Sequence, residues 1–182
     1  MSHGTGEASG WIRRWSHLVA PGAPVLDVAC GAGRHMRWFA ARGHAVTGVD
    51  RSAEAIAAVE GVGEAVQADI ENGPWPLEGR TFGAVVVTNY LWRPLMPALV
   101  ASLAPGGVLL YETFAAGNET VGKPSRPDFL LRPGELLDVC KGLRIVAFED
   151  GFLASPPRFV QRVAAVYTGS GAGGEPGTPY PL

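Results

Sequence analysis

The sequence predicts an α/β fold in which a largely parallel sheet is covered by helices on both faces, and three observations carry that reading. Short apolar runs alternate with segments of helical periodicity from residue 24 onward, the pattern of strand–helix–strand units. The first run, Val25-Leu26-Asp27-Val28, passes through the small-residue loop Ala29-Cys30-Gly31-Ala32-Gly33 straight into a helical pattern. Gly31 and Gly33 permit a sharp turn with exposed amides, and the following helix points its unpaired N–H groups at whatever lies above the loop. The last two apolar runs have no helix between them and must pair antiparallel.

In chain order, residues 1–8 read as a disordered leader and residues 9–19 as a helix with Trp11, Trp15 and Val19 on one face. Residues 24–28 form the first strand. The helix opening near Arg34 carries Met36, Trp38, Phe39 and Ala40 and stops near Gly43. Residues 44–50 form a second strand ending on Asp50, Ser52 caps a short alanine-rich helix, and Gly61 closes it. Residues 65–68 form a third strand, followed by Asp69-Ile70 and an irregular connection over 71–80. The β-branched run 82–88 is a central buried strand. A helix over 94–103 stops at Pro105-Gly106-Gly107, and residues 108–113 form the fifth strand. The long polar stretch 114–132 reads as a substrate lid over 115–129, because loops of this length in compact domains usually serve function. Pro133 suits the first turn of a helix to about Cys140, and strands follow at 144–149 and 160–167. The domain is expected to span residues 1–168, with 1–20 as leader and helix and 169–182 as a disordered tail.

Composition narrows the function. A chain of 182 residues with 47% apolar and 18% charged residues is an ordinary globular domain. A net charge of −2 supplies no basic field for nucleic acid. Cys30 and Cys140 make neither a zinc cluster nor a disulfide framework and fit a reducing cytoplasm; no metal is expected. The N-terminus lacks the apolar core of a signal peptide, and no stretch approaches the roughly 18 apolar residues of a membrane span.

The glycine loop is the place to ask which ligand is held. A dinucleotide loop wants a third glycine where Met36 stands, and a carboxylate at Asp27 would repel a pyrophosphate. The same carboxylate suits an ammonium group, in a charge-assisted hydrogen bond of roughly 1.5–3 kcal/mol. S-adenosylmethionine carries that group together with a carboxylate for the loop amides. Asp50, about twenty residues on, can accept both ribose hydroxyls, Asp69 can accept from the adenine amino group, and the Ile70 amide offers the ring a donor. Three carboxylates following three successive strands form a far more specific pattern than the loop alone.

Asp27-Val28-Ala29-Cys30-Gly31-Ala32-Gly33, Val46-Thr47-Gly48-Val49-Asp50, Ala68-Asp69-Ile70 and Leu103-Ala104-Pro105-Gly106-Gly107 resemble the ordered motifs of class I S-adenosylmethionine-dependent methyltransferases. The likeness covers about residues 22–168. It implies a Rossmann-like three-layer sandwich with a seven-stranded sheet in the order 3-2-1-4-5-7-6, the last strand antiparallel. Tyr111-Glu112-Thr113-Phe114, Gly117-Asn118-Glu119 and the segment from Phe129 to Leu136 are similar to small bacterial methyltransferases often labelled tellurite-resistance-like. Ala29-Cys30 replaces a further glycine of the family loop, and Gly83 stands where an acidic residue is frequent. Thr88-Asn89-Tyr90-Leu91 lacks the paired prolines of enzymes that methylate nucleic-acid amino groups.

The cofactor-binding set is therefore Asp27, Ala29, Gly31, Gly33, Asp50, Arg51, Asp69, Ile70 and Asn89, for S-adenosylmethionine with S-adenosylhomocysteine as product. The catalytic candidates are Asn89 and Tyr90, after strand four, and Glu112, at the end of strand five, where a carboxylate can orient or deprotonate a substrate. Arg93 is a candidate holder of an anionic acceptor. The expected partner is a small-molecule acceptor, with no nucleic acid or membrane, on a monomer or homodimer. Two other readings stand beside this one: a noncatalytic S-adenosylmethionine-binding module, and a nicotinamide-dependent oxidoreductase, which Asp27 and Met36 oppose.

Overall fold

The computed structural model describes residues 6–169 and 178–182; residues 1–5 of the expected leader and 170–177 of the expected tail lie outside the described part. The first helix, α1 (Gly10–Trp15), is capped by Ser9, whose Oγ accepts the Trp11 N–H at 3.2 Å. There follow β1 (Val25–Val28), α2 (Arg34–Ala40), β2 (Val46–Asp50), α3 (Ala53–Ala58), β3 (Glu64–Gln67) and β4 (Phe82–Thr88). The second half contains α4 (Met96–Ala101), β5 (Leu103–Phe114), α5 (Glu135–Val139), β6 (Arg144–Ala154) and β7 (Pro157–Val166). The sheet order is β3-β2-β1-β4-β5-β7-β6. The strands are parallel from β3 to β5, and β7 runs antiparallel to both β5 and β6. This is the doubly covered sheet that the residue pattern predicts, with the seven strands and the order that the resemblance implies.

Period-two alternation divides the core between the two faces. Leu26, Val28, Val85, Val87, Leu109 and Tyr111 pack with Leu99 of α4 and Leu136 of α5. Val25, Ala84, Val86, Val108 and Leu110 pack with Trp11 and Trp15 of α1 and with Met36 and Phe39 of α2. Asp27 and Glu112 continue the second set, so these two buried carboxylates lie on the face that α1 and α2 cover. The missing third glycine is compensated from the facing strand. A Cβ on Gly48 of β2 would stand 2.4 Å from Met36 Sδ and 2.8 Å from Cys30 Sγ, so the glycine supplies the space that Met36 occupies.

Several boundaries differ from the sequence reading. Helix α4 ends at Ala101, and Leu103 to Gly107 already belong to β5. Gly106 N–H donates to the Tyr167 carbonyl and Tyr167 N–H to the Gly107 carbonyl, so a partner far along the chain keeps the Pro-Gly-Gly segment in the sheet. Strands β6 and β7 are longer than expected because they continue as one antiparallel hairpin to the Ala154–Pro157 pair. Strand β3 begins and ends one residue earlier, at Glu64 and Gln67.

The long connection after β5 is tied to the body by Asn118, which is buried. Its Nδ2 donates to the Pro124 carbonyl at 2.9 Å and its Oδ1 accepts the Phe159 N–H at 3.1 Å. Arg93 braces the far side, donating to Glu135 and to the carbonyls of Asp128 and Leu130. At the C-terminal end, the Tyr180 ring lies 5.8 Å from the Arg144 guanidinium, and the Pro181 carbonyl is 2.9 Å from His17 Nε2. No helix among the described residues is long and apolar enough to cross a membrane.

Candidate active site

The strand order reverses between β1 and β4, and open α/β sheets hold ligands outside the carboxyl ends of strands at such a point. A cleft of about 550 Å³ opens there. Ala29, Cys30 and Gly31 form one wall, Thr88 and Asn89 another, and Lys123 and Pro124 of the long connection a third. Two residues that are not glycine adopt left-handed backbone in the described part, Ala29 and Asn89, each at φ 53°, and both line this cleft. Such conformations persist where the surroundings over-determine them, commonly at ligand clamps.

The first loop is shaped by Asp50. Its Oδ2 accepts the Gly31 N–H at 2.9 Å and its Oδ1 accepts the Ser52 N–H at 2.9 Å. The carboxylate thus fixes the loop and keeps lone pairs for further donors. Gly33, at φ 76°, then turns the chain into α2.

Asp27 lies deeper than the sequence reading places it. Its carboxylate is buried, does not line the cleft, and leaves Oδ2 without a hydrogen-bond partner among the described residues. Burial pushes its pKa well above the ordinary carboxylate value, and the Arg34 guanidinium opposes that shift. His35 lies beside it, with Nδ1 4.0 Å from Asp27 Oδ2. His35 Nε2 accepts the Ser9 N–H at 3.2 Å, so the ring proton sits on Nδ1, facing Thr88 Oγ1 at 3.5 Å. Burial, with Arg34 adding to it, drives the imidazole pKa down to about 3, so His35 is a neutral, oriented spacer.

Asp69 and Ile70 are placed differently from each other. Asp69 is exposed and closes the turn after β3, accepting the Glu71 and Asn72 N–H groups and the Asn72 side-chain amide. The Asn72 amide is the largest of the effects that hold its pKa below the ordinary value. Ile70 buries its side chain in the core beside Val49 and Leu77. Arg51 is exposed, and its carbonyl accepts the Gln67 side-chain amide at 3.3 Å.

On the β4 and β5 side, the three catalytic candidates separate. Asn89 donates its backbone N–H to the Glu112 carbonyl at 2.9 Å and presents an exposed side chain at the cleft. Tyr90 packs against the core with its hydroxyl buried and unpartnered; burial, with the Glu71 carboxylate adding to it, raises its pKa. Glu112 is buried and committed on both oxygens, Oε1 to Ser9 Oγ at 2.6 Å and Oε2 to Arg162 Nη1 at 3.1 Å. It lines a second, smaller cleft against α1. The structure therefore gathers Ala29, Gly31 and Asn89 at one cleft, with Asp50 joined to it through Gly31. Sequence reasoning passed over Thr88 and Arg34, which also line it. Arg34 opens the helix after the glycine loop, and that position was the available signal.

The set fits S-adenosylmethionine on the structure's own terms. Asp50 retains acceptor capacity at the end of β2, beside the Gly31 wall of the cleft, whereas the unpartnered Asp27 oxygen is buried beneath the loop and away from it. Among the described residues no group of three or more His, Cys, Asp or Glu is arranged to hold a metal ion.

Comparison with known proteins agrees. Residues 25–107 match a family model described as a methyltransferase domain. No curated protein matches the chain. Among solved structures the chain is similar in fold to TehB from Haemophilus influenzae, with TM-score 0.69 and 20% identity over 87% of this chain and 62% of that one. The chain thus spans less than two thirds of that protein's length. A TehB-like SAM-dependent methyltransferase from Corynebacterium glutamicum gives TM-score 0.65 and 19% identity, covering 88% of this chain and 89% of its own. The glycopeptide N-methyltransferase MtfA complexed with S-adenosylhomocysteine gives 0.61 and 21%, covering 90% and 91%. The methyltransferase-domain match favours the methyltransferase reading over the nicotinamide one. The match over residues 25–107 is to a methyltransferase domain, and the sheet order agrees with the fold of these methyltransferase structures.

Proposed function

We propose that the chain transfers a methyl group to a small-molecule acceptor bound in the 550 Å³ cleft between the first loop, Asn89 and Lys123. The observation that supports this most is the pairing of two left-handed residues, Ala29 and Asn89, across one cleft at the strand switch point. S-adenosylmethionine supplies a methyl carbon already activated by positive sulfur, and the acceptor's lone pair displaces the sulfur in line. Asp50, held by the Gly31 and Ser52 N–H groups that it accepts, would hold the adenosyl end, with Asp27 lying beneath the loop. Asn89 carries a donor and an acceptor on a side chain held at the cleft wall, so it is assigned to orient the acceptor. Lys123 and Pro124 close the third side and exclude water. Fixing the two reactants in this way contributes on the order of 7–11 kcal/mol to such a step. Tyr90 supports Asn89 from the core, and Glu112 acts through Ser9 and Arg162, which it holds.

The test is S-adenosylhomocysteine formation across small thiols, carboxylates, amines, phenols and metalloid oxyanions. Turnover with one class, reduced at least about tenfold by Asn89→Ala, is the expected result, one positioned hydrogen bond being worth about 1.4 kcal/mol or more. Tight S-adenosylmethionine binding without turnover of any class would make the chain a noncatalytic binding module.

A further inference from the structure

We propose that the second cleft, between α1 and the paired strands β5 and β7, is an anion site that anchors a carboxylate or phosphate group of the acceptor. This rests on the methyl-transfer reading above and names its substrate class. The cleft measures about 290 Å³, the size of a headgroup rather than of a whole substrate. Four guanidiniums line it, those of Arg14, Arg34, Arg158 and Arg162, with Glu112 as the one carboxylate among its lining residues.

The lining of this cleft carries more cations than carboxylates. Arg162 is engaged by Glu112 and Glu149, and Arg14 reaches Glu149 only at 3.8 Å. Arg34 and Arg158 form no ion pair or side-chain hydrogen bond among the described residues. Arg158 Nε is buried and has no hydrogen-bond partner there. The Arg34 and Arg158 side chains, which no carboxylate engages in an ion pair, line the cleft with guanidiniums whose planar fork suits a carboxylate or phosphate.

Position connects this cleft to the reaction. Arg162 stands opposite Glu112 in the β5–β7 register, near the carboxyl end of β5. Arg34 lines this cleft and the cofactor cleft alike, so an anion held here lies at the border of the reacting space. The geometry therefore favours an acceptor that carries its negative group a short distance from its nucleophile.

The experiment titrates inorganic phosphate, phenyl phosphate, benzoate and neutral benzamide into wild-type, Arg158→Gln and Arg14→Gln proteins, each saturated with S-adenosylhomocysteine. At least one anion is expected to bind the wild-type protein and to bind Arg158→Gln at least about tenfold more weakly, one charge-assisted contact being worth that much. Benzamide is expected to bind neither. Phenyl phosphate binding tighter than benzoate identifies a phosphoryl group, and the reverse order a carboxylate. Unchanged S-adenosylhomocysteine affinity shows that Arg158→Gln is folded; if that affinity is lost, the more exposed Arg14→Gln carries the comparison. Equal anion affinity in wild-type and variant proteins, or no anion binding by the wild type, overturns the proposal. Anion binding without turnover of any acceptor removes the catalytic reading but leaves the site. Turnover of neutral acceptors without anion binding does the opposite.

Discussion

Replacing Asp50 by alanine removes the acceptor of two backbone amides, Gly31 N–H and Ser52 N–H, each at 2.9 Å, together with the group assigned to the ribose. Hydrogen bonds to charged acceptors are worth about 1.5–3 kcal/mol each, and the partial exposure of Asp50 puts these near the lower end. A combined loss of about 2–4 kcal/mol lowers Tm by roughly 4–16 °C in a domain of this size. Affinity falls separately, because one ribose-facing charged contact exceeds about 1.4 kcal/mol, or tenfold. Asp50→Asn distinguishes the two effects. Its remaining carbonyl oxygen serves one amide, so Tm recovers in part while the charged ribose contact stays absent. Calorimetric titration of S-adenosylmethionine, paired with thermal unfolding of each protein, reads both quantities. Unchanged affinity in Asp50→Ala would refute the ribose assignment, and unchanged Tm would refute the claim that this carboxylate holds the loop.

Two further outcomes follow from the same region. Gly48→Ala places a methyl 2.4 Å from Met36 Sδ, and overpacking of this kind costs about 1–3 kcal/mol, read as a lower urea midpoint without a change in m. Acid behaviour follows from His35 and Asp27. The folded pKa of His35, about 3, lies below its ordinary 6.5, so its contribution is complete above about pH 6.5 and is lost as pH falls toward 3. Asp27 has a raised folded pKa, so it takes up its proton earlier in the folded protein and stability is gained as pH falls through that value. Urea midpoints near pH 7 and pH 5 should fall less in His35→Gln than in the wild type and more in Asp27→Asn; identical slopes in all three would contradict the burial of this pair.

The parts of the fold visible in the sequence were those governed by local pattern. The run Phe82-Gly83-Ala84-Val85-Val86-Val87-Thr88 is a strand with the boundaries that its β-branched residues predict, because it is buried on both faces and needs no partner to be recognised. Ser52 was equally legible, since an N-cap acts within one turn, where its Oγ accepts the Ala55 N–H. Pro105-Gly106-Gly107 misled because its conformation is settled by Tyr167. Glu112 reads locally as a carboxylate at a strand end, yet the β5–β7 register sets it opposite Arg162, and a capping serine takes its other oxygen. The Asp69 carboxylate accepts from its own turn, an alternative that short acidic side chains always offer. Asp27 was the more instructive case: its type and place on β1 were readable, but its depth beneath His35 arises from packing of α2 on the sheet.

The most direct measurement of the central claim is a calorimetric titration of the wild-type protein with S-adenosylmethionine and, separately, with NADH. The account predicts saturable binding of one S-adenosylmethionine per chain and no measurable binding of NADH, since the loop runs into α2 with Met36 where a dinucleotide loop wants its third glycine. Saturable NADH binding, or no S-adenosylmethionine binding by folded protein, would contradict it.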